Sequence, residues 1–160
     1  MEQNGLVSSS FTIEPVTEST QEQAKAVVLS GMEEHFGFLD PTLNPDLDHI
    51  VSSYLGLGHT FLVGRLNGEV VCTGALVGVD ADTGRLVRMS VKQEFRRHGY
   101  ASRMIAILEK LAADKGYSTV MLKTIGDWTD AVGFYEKMGY ERSEVEGSKV
   151  TMVKSIRLEG

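Results

Sequence analysis

The feature that most constrains this chain is an apolar strand-like run that leads through a basic, glycine-bearing loop into a long amphipathic helix. Leu86, Val87, Arg88, Met89, Ser90 and Val91 form the run, and Ala101, Met104, Ile105, Leu108 and Ala112 recur downstream at helical spacing. A further strand-like segment, residues 117–124, begins once that helix has ended at Lys115 and Gly116. Strand, helix, strand predicts a crossover connection and therefore a parallel pair of strands. The loop between them, Arg96, Arg97, His98, Gly99, Tyr100 and Ala101, opens directly into the helix N-terminus. There the first N–H groups lack intrahelical partners, the helix dipole is positive, and a residue without a Cβ lets the backbone approach a bulky anion. With two arginines alongside, this is the chemistry of a phosphate cradle. Glycine before a helix is also an ordinary turn, so the loop alone leaves both readings open.

The remaining pattern is antiparallel. Thr60–Arg65 and Val70–Val79 flank Leu66, Asn67, Gly68 and Glu69, where Asn-Gly predicts a tight hairpin. Asp80, Ala81, Asp82, Thr83 and Gly84 then turn the chain into the Arg85–Val91 strand. Upstream, Phe11–Glu14 reads as a first strand, and Ser19 with Glu22 forms a capping box for a helix carrying Ala24, Val27, Val28 and Met32. Asn44 as N-cap and Pro45 as first helical residue introduce a second helix with Leu47, Ile50, Val51, Tyr54 and Leu55. The result is an α/β chain with a mixed, mostly antiparallel sheet of six to seven strands, a parallel central pair and about four helices. Lys149–Arg157 reads as a final strand, and the exposed edge of such a sheet would support a homodimer.

Composition narrows the partners. With 160 residues, 42% of them hydrophobic, the chain supports one core, so residues 11–160 are expected to form a single domain behind a flexible tail, 1–10. A net charge of −6 lacks the basicity that nucleic-acid binding needs, and it favours cationic partners slightly. No apolar run approaches the roughly 20 residues needed to cross a bilayer, which predicts no membrane span and a cytoplasmic protein. The single cysteine, Cys72, excludes an internal disulfide, and no Cys/His spacing suggests a zinc site.

A second motif decides between the readings of the loop. Asp130–Tyr140 predicts a short helix with Ala131, Phe134, Tyr135 and Met138 on one face, closing at Gly139 and Tyr140. Strand, Arg96-x-x-Gly99-x-Ala101, helix, strand, then Ala131-x-x-Phe134-Tyr135-x-x-x-Gly139-Tyr140 resembles the GNAT superfamily of acetyl-CoA-dependent N-acetyltransferases over about residues 60–145. The resemblance implies a GNAT-like fold whose parallel strands part to admit the pantetheine arm of acetyl-CoA. It places main-chain groups of Met89, Ser90 and Val91 on that arm and wraps Arg96, Arg97, His98, Gly99, Tyr100, Ala101 and Ser102 around the pyrophosphate. Tyr135 then matches the tyrosine that protonates the departing CoA thiolate, and Phe134 lies beside the cofactor. A tyrosine on an apolar stripe also serves as packing.

Two positions depart from the family pattern. Many members carry a glutamate base near the start of the fourth strand, where this chain has Arg85, and the candidates Glu33, Glu34, His35, Asp80 and Asp82 give no assignable base. Trp128 replaces an asparagine that bonds the pantetheine arm; it either stacks on the cofactor or packs against the core, and Asp127 is at hand for a polar contact. The loop His35–Leu43, with Phe36 and Phe38, either lines the acceptor pocket or plugs the core. Cys72 lies in an apolar strand without a neighbouring histidine, so acetyl transfer is expected to be direct, not through a thioester on the protein. The expected activity is acetyl transfer to a primary amine: a small cationic amine or an amino acid derivative, with a peptide amine as a further acceptor. A noncatalytic acyl-CoA-binding regulatory module is the alternative, motivated by Arg85 and Trp128.

Overall fold

The computed structural model describes residues 10–36, 44–125 and 129–156. Seven strands form one sheet in the order β1-β2-β3-β4-β5-β7-β6. They are β1 (Phe11–Pro15), β2 (Thr60–Leu66), β3 (Glu69–Gly78), β4 (Thr83–Val91), β5 (Thr119–Ile125), β6 (Glu141–Glu146) and β7 (Lys149–Ser155). The helices are α1 (Gln21–Phe36), α2 (Ile50–Tyr54), α3 (Tyr100–Asp114) and α4 (Thr129–Lys137). This is the expected mixed α/β architecture. No helix among the described residues is long and apolar enough to cross a membrane.

Contacts divide the chain into two compact units, residues 1–75 with 88–105, and residues 76–87 with 106–160. In the first unit β1 runs antiparallel to β2, from Phe11 opposite Leu66 to Pro15 opposite Leu62. Asn67 and Gly68 both have positive φ, 52° and 91°, as the predicted tight hairpin requires. Val16, Ala24, Val27, Leu47, Ile50, Phe61, Val63, Val71 and Cys72 are buried. Gly64 is the tightest point: a Cβ there would run into the Cys72 sulfur and the Phe11 ring. The helix start differs from expectation. Ser19 does not cap α1; the nearly buried Thr20 does the local bonding, its Oγ1 accepting from the Thr17 N–H at 2.9 Å, while the Gln21 and Ala24 amides bond the Thr17 and Thr20 carbonyls. Thr17 thereby stands at the helix entry, two residues before the expected cap, with the Thr20 hydroxyl bonded back to its N–H.

In the second unit the parallel ladder covers only Thr83, Gly84 and Arg85 of β4, opposite Thr119, Val120 and Met121. On its other side β5 pairs antiparallel with β7 along its whole length, and β6 forms a hairpin with β7 through Gly147, φ 63°. The final strand is therefore interior, and the free edge falls on β6, all of whose residues are exposed. The turn before β4 is fixed by the Asp82 N–H donating to Asp80 Oδ1 at 2.8 Å. Gly116 and Gly139 take φ of 93° and 100° and close α3 and α4, as the sequence predicts. Leu108, Ala112, Val120, Leu122, Val132, Tyr140, Val150 and Met152 are buried, and each large aliphatic side chain among them contributes about 1.5–3 kcal/mol.

Candidate active site

The first unit holds the predicted cradle. After β4 the chain makes a single 3₁₀ turn, Gln93–Phe95, and Lys92 is anchored on both sides, its N–H donating to the Val71 carbonyl at 2.9 Å and its Nζ to Glu69 at 2.7 Å. Arg97 and Gly99 both adopt left-handed backbone, φ 67° and 81°. Such a conformation is natural for Gly99 and unfavourable for Arg97. The first bond of α3 runs from the Arg103 N–H to the Gly99 carbonyl at 3.1 Å, so the amides of Tyr100, Ala101 and Ser102 precede the helical ladder at its positive end. A Cβ on Gly99 would meet no heavy atom within 4 Å, so the space beside Gly99 is open.

The arginines have separate tasks. Arg96 turns back, its Nε donating to the Val91 carbonyl at 3.0 Å, whereas exposed Arg97 makes no ion pair or hydrogen bond among the described residues. His98 and Tyr100 hold the loop in place: His98 Nδ1 lies 3.2 Å from the Phe95 carbonyl, and its ring stacks on Tyr100 at 5.8 Å. Tyr100 in turn stacks on Phe11 of β1 at 4.1 Å, with the Arg103 guanidinium 4.6 Å from that ring. Ala101 and Ser102 are half-buried in the first turn of α3.

Met89, Ser90 and Val91 close β4. The Ser90 hydroxyl points to α1, donating to the Val27 carbonyl at 3.2 Å, and a Cβ on Gly31 would lie only 2.7 Å from it. Gly31 is thus what lets α1 approach β4 this closely. One residue before Met89, Arg88 has φ 55° inside the strand, and its side chain bonds Asp46 and Asn44. Asn44 precedes the 3₁₀ turn Pro45–His49 as predicted but makes no side-chain cap, because its Oδ1 is taken by Arg88. Sequence reasoning missed this cluster; the pairing spans 42 residues, and the only local signal was an arginine in an otherwise apolar run.

In the second unit, Tyr135 lies on α4 with its ring edge-on to Phe134 at 5.3 Å and to Tyr140 at 6.0 Å. Its hydroxyl has no hydrogen-bond partner among the described residues, and burial pushes its pKa up to about 12, so it stays protonated near neutral pH. Tyr140 donates to Glu109 at 2.7 Å, and Lys154 holds the same carboxylate at 3.0 and 3.2 Å. Arg85, in the parallel part of β4, has a buried Nε without a hydrogen-bond partner among the described residues. Glu33, Asp80 and Asp82 are exposed, and no group of metal-binding side chains occurs among the described residues. Burial raises the Cys72 thiol to about 11, which keeps it neutral and unreactive. The side chains of Glu34, His35 and Phe36, the segment with Phe38, and Asp127 and Trp128 lie outside the described residues.

The mixed sheet thus carries a left-handed loop between β4 and α3 and a short helix, α4, after β5. The Acetyltransferase (GNAT) family matches residues 30–140, and the chain belongs to it. It is similar to human N-acetyltransferase 8B, 32% identical over 112 residues that make up 66% of this chain and 49% of that protein. The chain thus spans about half the length of the curated relatives it matches. Among solved structures, an acetyltransferase of the GNAT family from Staphylococcus aureus aligns with a TM-score of 0.83 at 20% identity, covering 92% of this chain and 100% of that one. The PaiA N-acetyltransferase from Thermoplasma acidophilum, solved in complex with coenzyme A, aligns with a TM-score of 0.79 at 19% identity, over 91% of this chain and 99% of the other.

Proposed function

We propose that this chain transfers the acetyl group of acetyl-CoA to a primary amine. The cradle carries the reading: the amides of Tyr100, Ala101 and Ser102 precede the helical ladder beside left-handed Gly99, where no atom crowds a Cβ position, and such a helix start favours a pyrophosphate. Arg97 supplies an uncommitted positive charge beside it. Main-chain groups of Met89 and Val91 are assigned to the pantetheine arm, beside the Arg96 side chain that donates to the Val91 carbonyl. Phe134 and Trp128 are assigned to the cofactor's surroundings by the family pattern. That relatives and structural neighbours include N-acetyltransferases, one of them holding coenzyme A, supports the assignment.

Acetyl-CoA supplies an activated thioester. The neutral amine nitrogen forms the new bond to the acetyl carbon, the carbon–sulfur bond breaks, and the electron pair leaves with sulfur. Tyr135, protonated because burial holds its pKa near 12, is assigned by the family pattern as the proton donor to that sulfur. The amine's own proton leaves to solvent, and solvent returns a proton to Tyr135, which closes the cycle.

The acceptor assigned here is a small cationic amine or an amino acid derivative, since a net charge of −6 attracts cationic partners. A panel of polyamines, amino acid derivatives and peptide amines, read by thiol release, tests this, with Gly99→Val as the cofactor-site control. Release with one of the first two classes, and weaker acetyl-CoA binding by Gly99→Val, are expected; release with peptide amines only would reject the acceptor class. The second reading, a noncatalytic acyl-CoA-binding module, is favoured by Arg85 standing where a glutamate base is expected, and predicts binding without release for every amine.

A further inference from the structure

Arg88 carries a backbone conformation that its side chain does not want. Its φ of 55° lies in the middle of the nine-residue β4, where any residue with a Cβ is disfavoured and an extended backbone would continue the strand. Such a bend persists only where its surroundings over-determine it, and here they do so from both sides. On the main-chain side, the Thr73 hydroxyl, almost fully buried in β3, donates to the Arg88 carbonyl at 2.7 Å. On the side-chain side, Arg88 Nη2 donates to Asp46 Oδ1 at 2.8 Å and to Asn44 Oδ1 at 3.2 Å, and Nε donates to Asp46 Oδ2 at 3.1 Å. Tyr54 of α2 completes the carboxylate's shell, its hydroxyl donating to Asp46 Oδ2 at 2.7 Å. Nη1 rests on the Met32 sulfur of α1 at 3.8 Å. Two residues later the Ser90–Val27 bond ties β4 to α1 again. Met89 is therefore bracketed by two anchored neighbours.

We propose that Arg88, Asp46 and Thr73 are positioning residues for acetyl transfer: together they hold the left-handed bend that aims the main-chain groups of Met89 and Val91. The inference rests on the assignment of those groups to the pantetheine arm. It assigns a purpose to an ion pair that a stability argument alone leaves unexplained, because a partly exposed pair contributes little by itself. It also explains why Asn44 gives up its cap.

The test compares Arg88→Gly with Arg88→Ala, titrating each with acetyl-CoA by calorimetry and measuring thiol release. Both lose the guanidinium, but only glycine enters left-handed backbone freely. The bend predicts that the glycine variant binds acetyl-CoA tighter than the alanine variant, by on the order of tenfold. An ordinary strand residue predicts equality or the reverse, since glycine weakens a strand. In parallel, Thr73→Val should weaken acetyl-CoA binding by roughly tenfold through the loss of one buried hydrogen bond, and Thr73→Ser should restore it. The Thr73 pair decides the matter if an Arg88 variant does not fold. Equal affinities within either pair of folded variants overturn the inference while leaving the cofactor assignment intact. Failure of the unaltered chain to bind acetyl-CoA overturns both.

Discussion

Tyr135→Phe separates chemistry from architecture in a single atom. The Tyr135 hydroxyl has no hydrogen-bond partner among the described residues, and its ring packs edge-on against Phe134 and Tyr140 at 5.3 and 6.0 Å, contacts that phenylalanine retains. Removing the oxygen therefore breaks no hydrogen bond to a described residue, and the change in stability should stay within about 1 kcal/mol. What it removes is the proposed proton donor. General acid catalysis contributes roughly 10²–10⁴-fold, which corresponds to about 2.7–5.4 kcal/mol of barrier. The assay is steady-state thiol release at saturating acetyl-CoA and amine, with thermal melting and acetyl-CoA titration on the same preparations. A kcat reduced by at least about a hundredfold is expected, with Tm and acetyl-CoA affinity unchanged. Because the hydroxyl's pKa stands near 12, the unaltered enzyme should show no alkaline loss of rate from this residue below about pH 11. An undiminished kcat in a folded Tyr135→Phe variant would refute the role and return Tyr135 to the packing of α4.

Tyr140→Phe should behave in the opposite way, leaving the chemistry alone and lowering stability: it deletes a 2.7 Å bond to Glu109, whose charge stays paired with Lys154, for a loss of about 1.5–2 kcal/mol read as roughly 3–8 °C in Tm. Asp46→Asn should destabilise most at neutral pH. Burial pushes the Asp46 pKa up, but hydrogen bonds from Tyr54 and Arg88 outweigh it and leave the pKa lowered, so its stabilisation exists above the ordinary carboxylate range and vanishes as pH falls through the lowered value. Chemical unfolding at pH 7 and at about pH 3 should show the gap between the two proteins closing. Cys72, with its thiol raised to about 11 by burial, should resist alkylation at pH 8 until denaturant exposes it; rapid native-state labelling would contradict its place in the core.

What the sequence made legible were the features governed by local rules. Asn67-Gly68 specified a hairpin because that pair tolerates two positive φ angles cheaply, and Gly116 and Gly139 marked helix ends for the same reason. The stripe Met104, Ile105, Leu108 and Ala112 specified which face of α3 is buried, and strand–helix–strand spacing specified the parallel pair. Features that depend on distant partners were hidden. Asn44 reads as a cap until Arg88, 44 positions away, takes its oxygen; Ser19 reads as a cap until the Thr17–Thr20 turn takes over the helix entry. The stack of Tyr100 on Phe11 was hidden because Phe11 lies in the first strand, and His98 joins it only through Tyr100. The place of β7 inside the sheet, with β6 outside it, likewise follows from pairing across the molecule and not from any local pattern.

Calorimetric titration of the chain with acetyl-CoA, followed in the same sample by thiol detection as primary amines are added, tests the central claim most directly. Saturable binding followed by thiol release for one class of amine is the predicted result. No binding of acetyl-CoA by the folded chain would contradict the cradle at Gly99, and with it the catalytic reading built upon it.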